Sequence, residues 1–228
     1  MKIYELKKAD AGKVFFKQPF VKRLILMLLG VIFMGICVAV LRLCKLGTDP
    51  FSAVSYGIAY FLGADFGTVQ MLFNGTLLIL VLFTDISKLG FGTLGNMIFV
   101  GYSADLTTFV MEHFLGITEL HSLAVRIIVM IVTLFVFIIA VSVYINAGLG
   151  SSAYDALPYV IHEGVQKLIK KGIPFKMIRI LFDGFFTVIA FLIHGEAGVI
   201  TVLMVFTLGP MIDYVAKLLS VFFKNDKA

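Results

Sequence analysis

The sequence predicts an all-α, polytopic membrane helical bundle of two tandem homologous repeats. Each repeat has three spans and a short half or re-entrant helix, and the second repeat is inverted relative to the first. Three observations predict this: the composition, the lengths of the apolar runs between chain breaks, and a duplication that runs through both halves.

Of the 228 residues, 60% are hydrophobic and only 14% are charged, with a mean hydropathy of +1.03. Soluble domains hold about 45–50% apolar residues. No polar segment is long enough for a separate soluble domain. The expected organisation is a cytoplasmic basic segment over 1–20 and one membrane domain over 21–228, with repeat 1 at about 21–115 and repeat 2 at about 122–223. With no Trp in the chain, Tyr and Phe must form the interfacial belts. Cys37 and Cys44 lie in one apolar run and are expected as reduced thiols, with no disulfide framework and no metal spacing. The net charge of +5 is concentrated in a few loops, which argues for membrane orientation and against nucleic-acid binding. The N-terminus is basic but lacks a small-residue cleavage site, so no signal peptide is expected.

The first apolar run, Val21 to about Cys44, supplies the roughly 20 residues a span needs, and Gly30 and Gly35 permit close helix approach. Then comes Leu46-Gly47-Thr48-Asp49-Pro50-Phe51-Ser52-Ala53, a chain break followed by a helix start. Thr48 and Asp49 are good N-caps, and Pro50 suits the first helical position. Only Pro50 to Leu62 lie before the next break, Gly63 to Gly67. At 1.5 Å per residue that is roughly 20 Å, against a hydrocarbon core of about 30 Å, which predicts a half helix. Thr68 to Phe83 or Thr84 is the second span, with Gln70 and Asn74. Phe91 to about Glu112 is the third, with Asp105. Leu123 to about Asn146 is the fourth. Gly150 to Gly164 repeats the half helix and leads into a loop with Lys167, Lys170, Lys171 and Lys176. Phe175 to Ile193 is the fifth span, with Arg179 and Asp183. Val199 to about Phe222 is the sixth, with Asp213.

The duplication appears in three segments in the same order. At an offset of 103 residues, Arg23 aligns with Arg126, Leu46-Gly47 with Leu149-Gly150, Ala53 with Ala156 and Tyr56 with Tyr159. At 109, Leu72-Phe73-Asn74-Gly75 aligns with Leu181-Phe182-Asp183-Gly184. At 108, Gly90, Thr93, Gly101 and Asp105 align with Gly198, Thr201, Gly209 and Asp213. Apolar composition alone does not align Gly, Arg and Asp. Positive charge orients the chain. Three spans per half put the N-terminus, the Lys88 loop, the Lys167–Lys176 loop and the C-terminus in the cytoplasm, and leave outside the 113–122 and 194–198 loops, which lack Lys and Arg. Four spans per half fit the charges less well. An odd number of spans inverts the second half, the usual build of secondary transporters with broken helices near the midplane.

The LGTDP stretch after the first helix, Arg23 at that helix's start, Gly90-Phe91-Gly92-Thr93 and the Gly101…Asp105 spacing resemble the YczE/YyaS/YitT group of bacterial integral membrane proteins, the YczE branch over nearly the whole chain. The resemblance implies a multipass protein of the bacterial cytoplasmic membrane, without a settled substrate.

The candidate substrate-binding residues are Thr48, Asp49, Ser151, Ser152, Asp155, Asn74, Arg179 and Asp183. A free helix N-terminus exposes N–H groups and partial positive charge suited to anions. The same acids also serve simply as caps of their own helices. Arg179 and Asp183 are four apart and share a helix face. The first half has Gln70 and Asn74 there, which points to a polar contact kept neutral overall. Asp105 and Asp213, like Gln70, are further intramembrane polar positions. Arg23 and Arg126 read as interface anchors, and His194 and Glu196 as solvated turn residues.

No nucleophile elbow, zinc-protease or phosphate-loop signature is present, so neither an enzyme nor a cofactor is expected. The expected partners are the lipid bilayer and an unknown small solute. A chain of 25.2 kDa has few helices to shield a pathway, which favours a homodimer. The function expected is a small-solute transporter or channel with its site at the half-helix starts. The alternatives are a non-transporting membrane scaffold and the substrate-binding subunit of a larger transporter.

Overall fold

The computed structural model describes residues 20–84, 89–169 and 172–224. The basic segment before Phe20, Lys88, Lys170, Lys171 and the end of the tail lie outside the described residues. Among those described, every regular element is a helix: α1 (Phe20–Cys44), α2 (Pro50–Leu62), α3 (Phe66–Leu82), α4 (Phe91–His113), α5 (Leu123–Asn146), α6 (Ala153–Ile169), α7 (Phe175–Leu192) and α8 (Val199–Lys224).

Among the described residues three helices are long and apolar enough to cross a membrane: α1, α5 and the Val199–Ser220 part of α8. The α2–α3 pair meets the same test only jointly and is bent by 116° at its break. The outer faces of these helices carry large apolar side chains in the open, such as Ile25, Leu29 and Phe33 on α1 and Ile128, Ile131 and Phe135 on α5. Such faces suit a hydrocarbon surrounding.

The helices sort into two clusters. The first core joins α1, α4, α5 and α8 through Val31, Val38, Val100, Val141, Tyr144 and Met204, and also takes in Tyr56 of α2 and Phe66 of α3. Gly30 lets α1 approach α5: a Cβ there would sit 2.8 Å from the Tyr144 Cβ. The second core joins α2, α3, α6 and α7 through Phe51, Val54, Leu77, Tyr154, Phe186 and Ala190. Each cluster therefore takes two helices from each half of the chain.

The principal helix pairs keep the same pattern when the halves are exchanged. Thus α1 packs on α4 as α5 does on α8, and α2 on α7 as α6 does on α3. Backbone contacts between halves follow it too. The Gly92 N–H donates to the Leu149 carbonyl at 2.7 Å, and the Ile200 N–H donates to the Leu46 carbonyl at 3.1 Å. Gly47 and Gly150 both sit at φ +108°, where L side chains are strained. Each lies against the start of the other half's last helix, Gly47 beside Gly198 and Gly150 beside Gly90. Those starts are closed alike: the Gly90 N–H donates to Thr93 Oγ1 and the Gly198 N–H to Thr201 Oγ1, both at 3.0 Å.

Three expectations change. Helix α6 continues past Gly164 to Ile169, since a helical glycine costs only about 1 kcal/mol. Arg23 is buried and caps the end of α5, donating from Nε to the Ala147 carbonyl at 3.0 Å and from Nη2 to the Gly148 carbonyl at 2.6 Å. Glu196 is only partly exposed. It accepts a hydrogen bond from the Tyr60 hydroxyl and lies 3.5 Å from Arg42.

Candidate functional site

The starts of α2 and α6 meet at one small cavity of about 60 Å³. The first cluster supplies a mainly apolar wall, including Val38, Val100, Phe137 and Leu208. The second supplies polar groups: Asp49 and Ser52 from the start of α2, Gln70 from α3, Ser152 and Asp155 from the start of α6, and Arg179 from α7. That volume holds a few waters or one small solute.

Each half-helix start is capped by its own side chain. Asp49 Oδ1 accepts from the Ser52 N–H at 3.0 Å, with Pro50 at the first helical position. In α6 the roles are exchanged: Ser152 Oγ accepts from the Asp155 N–H at 3.0 Å and donates to Asp155 Oδ2 at 2.7 Å. One hydroxyl and one carboxylate stand at each start, in opposite order. The reason is local: a short side chain with an acceptor oxygen satisfies the orphan N–H groups of a first turn.

Arg179 binds two carboxylates. Its Nη1 donates to Asp155 Oδ1 and its Nε to Asp183 Oδ2, both at 2.8 Å. Its guanidinium carbon stands 5.4 Å from the centre of the Tyr154 ring, and the Tyr154 hydroxyl donates to Asp183 Oδ1 at 2.6 Å. The Arg179–Asp183 pair implied by the four-residue spacing is present. Asp155 adds a second carboxyl group to the same guanidinium.

The first-half counterparts differ. Phe51 stands for Tyr154, Gln70 for Arg179 and Asn74 for Asp183. Asn74 is 1% exposed, and neither of its side-chain polar atoms has a partner. Gln70 Oε1 and Asp49 Oδ2 are likewise buried without one. Native buried polar groups are nearly always paired, so each such atom calls for an explanation.

The other sequence candidates lie elsewhere. Thr48 is buried and tied to the 194–198 turn, its N–H donating to the Glu196 carbonyl at 2.9 Å. The Ser151 carbonyl accepts from Thr93 Oγ1 at 2.7 Å. Asp105 Oδ2 accepts from the Gly67 N–H at 2.7 Å, so α4 caps the start of α3 from outside. Asp213 is half-buried on α8. None of these four lines the cavity. Sequence reasoning missed Ser52, Tyr154 and Asn96 of the cavity wall. The Tyr154 signal was available in its alignment with Phe51.

No curated protein and no solved structure matches the chain. A family model does match over residues 21–217, a stretch that includes both helix starts, the cavity and the reciprocal loop contacts. The chain belongs to that family, DUF6198, a family of unknown function.

Proposed function

We propose that this protein is a small-solute transporter of the bacterial cytoplasmic membrane, with the α2–α6 cavity as its solute site. One observation carries the reading. Two helix starts from different halves bring polar groups to one small cavity, and a buried carboxylate oxygen and a buried amide oxygen of its lining residues have no partner. A scaffold has no need of such groups. Intramembrane ionisable residues are costly and mark function by default.

In this reading α1, α3, α4, α5, α7 and α8 cross the bilayer, α2 and α6 are half helices, both termini are cytoplasmic, and the halves are inverted repeats. Helix packing that keeps its pattern on exchanging halves and the paired Gly47 and Gly150 conformations support it. The same reading keeps the chain beside the YczE/YyaS/YitT group, on the residues quoted for that likeness.

Two measurements test it. A cysteine at exposed His121 is labelled from outside by an impermeant thiol reagent under the inverted topology; Cys37 and Cys44 are buried and can stay. Purified protein in liposomes is then assayed for uptake of small cations, anions and neutral solutes, against Asp155→Asn. Uptake of one class, abolished in a variant that remains folded, supports transport. Folded protein that moves none of them refutes transport and leaves the scaffold.

A further inference from the structure

The cavity lining holds more carboxyl groups than cationic ones. Asp49 and Asp155 line it, and Arg179 is its one cation among the described lining residues. Arg179 already answers Asp155 and Asp183. Asp49 is left without a cationic partner. It is 9% exposed, it lines the cavity, and its Oδ2 has no hydrogen-bond partner. Each helix start already gives one N–H to its own cap and carries a carboxyl group beside it, which disfavours an anion.

The second half provides an internal comparison. There a guanidinium sits between two carboxylates, close to an aromatic ring. The first half supplies the same kinds of group, with the carboxylate of Asp49, the ring of Phe51 and the amide of Gln70 all lining the cavity. It lacks the cation, with Gln70 at the position of Arg179, and also the second carboxyl, with Asn74 at the position of Asp183. The volume of about 60 Å³ leaves room only for a small one. Among the described residues no cluster of three or more His, Cys, Asp or Glu is arranged for a metal ion. One carboxylate beside an amide and an aromatic face suits N–H donors better.

We propose that the cavity binds a small monovalent cation carrying N–H groups, of ammonium, methylammonium or guanidinium type. Its N–H groups donate to the Asp49 carboxylate, and it takes in the first half the part that Arg179 plays in the second. This rests on the reading of the cavity as the solute site and names the class of solute.

The test uses purified full-length protein in detergent. Thermal shift and calorimetric titration are run with ammonium, methylammonium and guanidinium chlorides at low millimolar concentration. Sodium, potassium and tetramethylammonium chlorides at equal ionic strength are the comparison. Saturable binding of the N–H cations only is expected. Asp49→Asn keeps an N-cap and should weaken binding about 10- to 100-fold, the range for losing a hydrogen bond to a charged group. Gln70→Arg supplies the missing cation from within; it should raise the melting temperature without ligand and abolish the response to ammonium. Equal responses to sodium and ammonium, unchanged affinity in Asp49→Asn, or no response from folded wild type each overturn the proposal. Liposome uptake separates the two readings. Binding without flux keeps the cation site and removes transport. Flux of another solute class without cation binding does the reverse.

Discussion

Replacing Arg179 by Gln gives the second half the side chain the first half has at Gln70, and it strands two acids. Asp183, whose side chain is 3% exposed, loses its 2.8 Å partner, as does Asp155 at 28%. Breaking a buried pair from one side costs about 3–5 kcal/mol, because the remaining charge is left uncompensated. Adding Asp183→Asn removes the more buried of those charges while keeping an acceptor for the Tyr154 hydroxyl. The double variant should then lie within about 2 kcal/mol of wild type, since what it gives up are hydrogen bonds rather than a buried ion. At about 2–4 °C per kcal/mol for a chain of this size, Arg179→Gln alone should lower the melting temperature by about 6–20 °C and the double variant by less than about 8 °C. With no Trp in the sequence, the assay is size-exclusion chromatography of a fluorescent-protein fusion after graded heating. The order of the two variants decides the matter. A double variant that unfolds at a lower temperature than Arg179→Gln would falsify the account of this cluster as a cation serving two carboxylates.

Three further outcomes are open to the same assay. Asn74→Ala should cost less than about 1 kcal/mol or stabilise, because it removes a buried amide without partners, whereas Asp183→Ala at the aligned position should be among the worst single changes. Asp105→Ala should cost about 1 kcal/mol by uncapping Gly67, and Asp105→Asn, which retains an acceptor, should cost little; if both behave alike and abolish uptake, Asp105 acts in the solute path instead. Lys45 holds the Glu119 carboxyl below its ordinary range. A folded-state value below the unfolded one means the tie contributes above the carboxylate range and is lost as pH falls through the folded value. The small difference between wild type and Glu119→Gln should therefore vanish on acidification, and also at high salt.

The half-helix starts were legible because caps are local: Asp49 and Pro50, or Ser152 three residues before Asp155, announce a first turn without reference to the rest of the chain. The close approach at Gly30 was legible for the same kind of reason. Properties set by distant partners were not. Arg23 reads as an interface anchor until the end of α5, 124 residues away, supplies carbonyls for it. Asp105 reads as a lone intramembrane acid, yet it caps another helix, and with that cap α3 begins at Phe66 rather than the expected Thr68. The second carboxyl of the Arg179 cluster was not legible, because Asp155 reaches it from a separate helix and no periodicity reports that. The aligned halves carried a signal left unread: the Phe51–Tyr154 difference predicts that Asp183 has a hydroxyl partner and Asn74 does not.

The two clusters also bear on which parts of such a molecule can move. The two aligned halves of the sequence meet near residue 120, but the packing does not divide there. One body holds the first and last helices of both halves, and the other holds both half helices with α3 and α7. The cavity lies along the seam between them. A hinge at the repeat boundary would have to tear each body in two and pull Leu46 and Leu149 from the helix starts they bond in the opposite half. Motion along the seam keeps the packing inside each cluster but has to break what crosses it, such as the hydrogen bond from the Gly67 N–H to Asp105 and the packing of α3 on α4. The aligned halves and the packed clusters are therefore different partitions of the eight described helices, and crosslinks that test for motion along the seam belong between α3 and α4 or between α7 and α8.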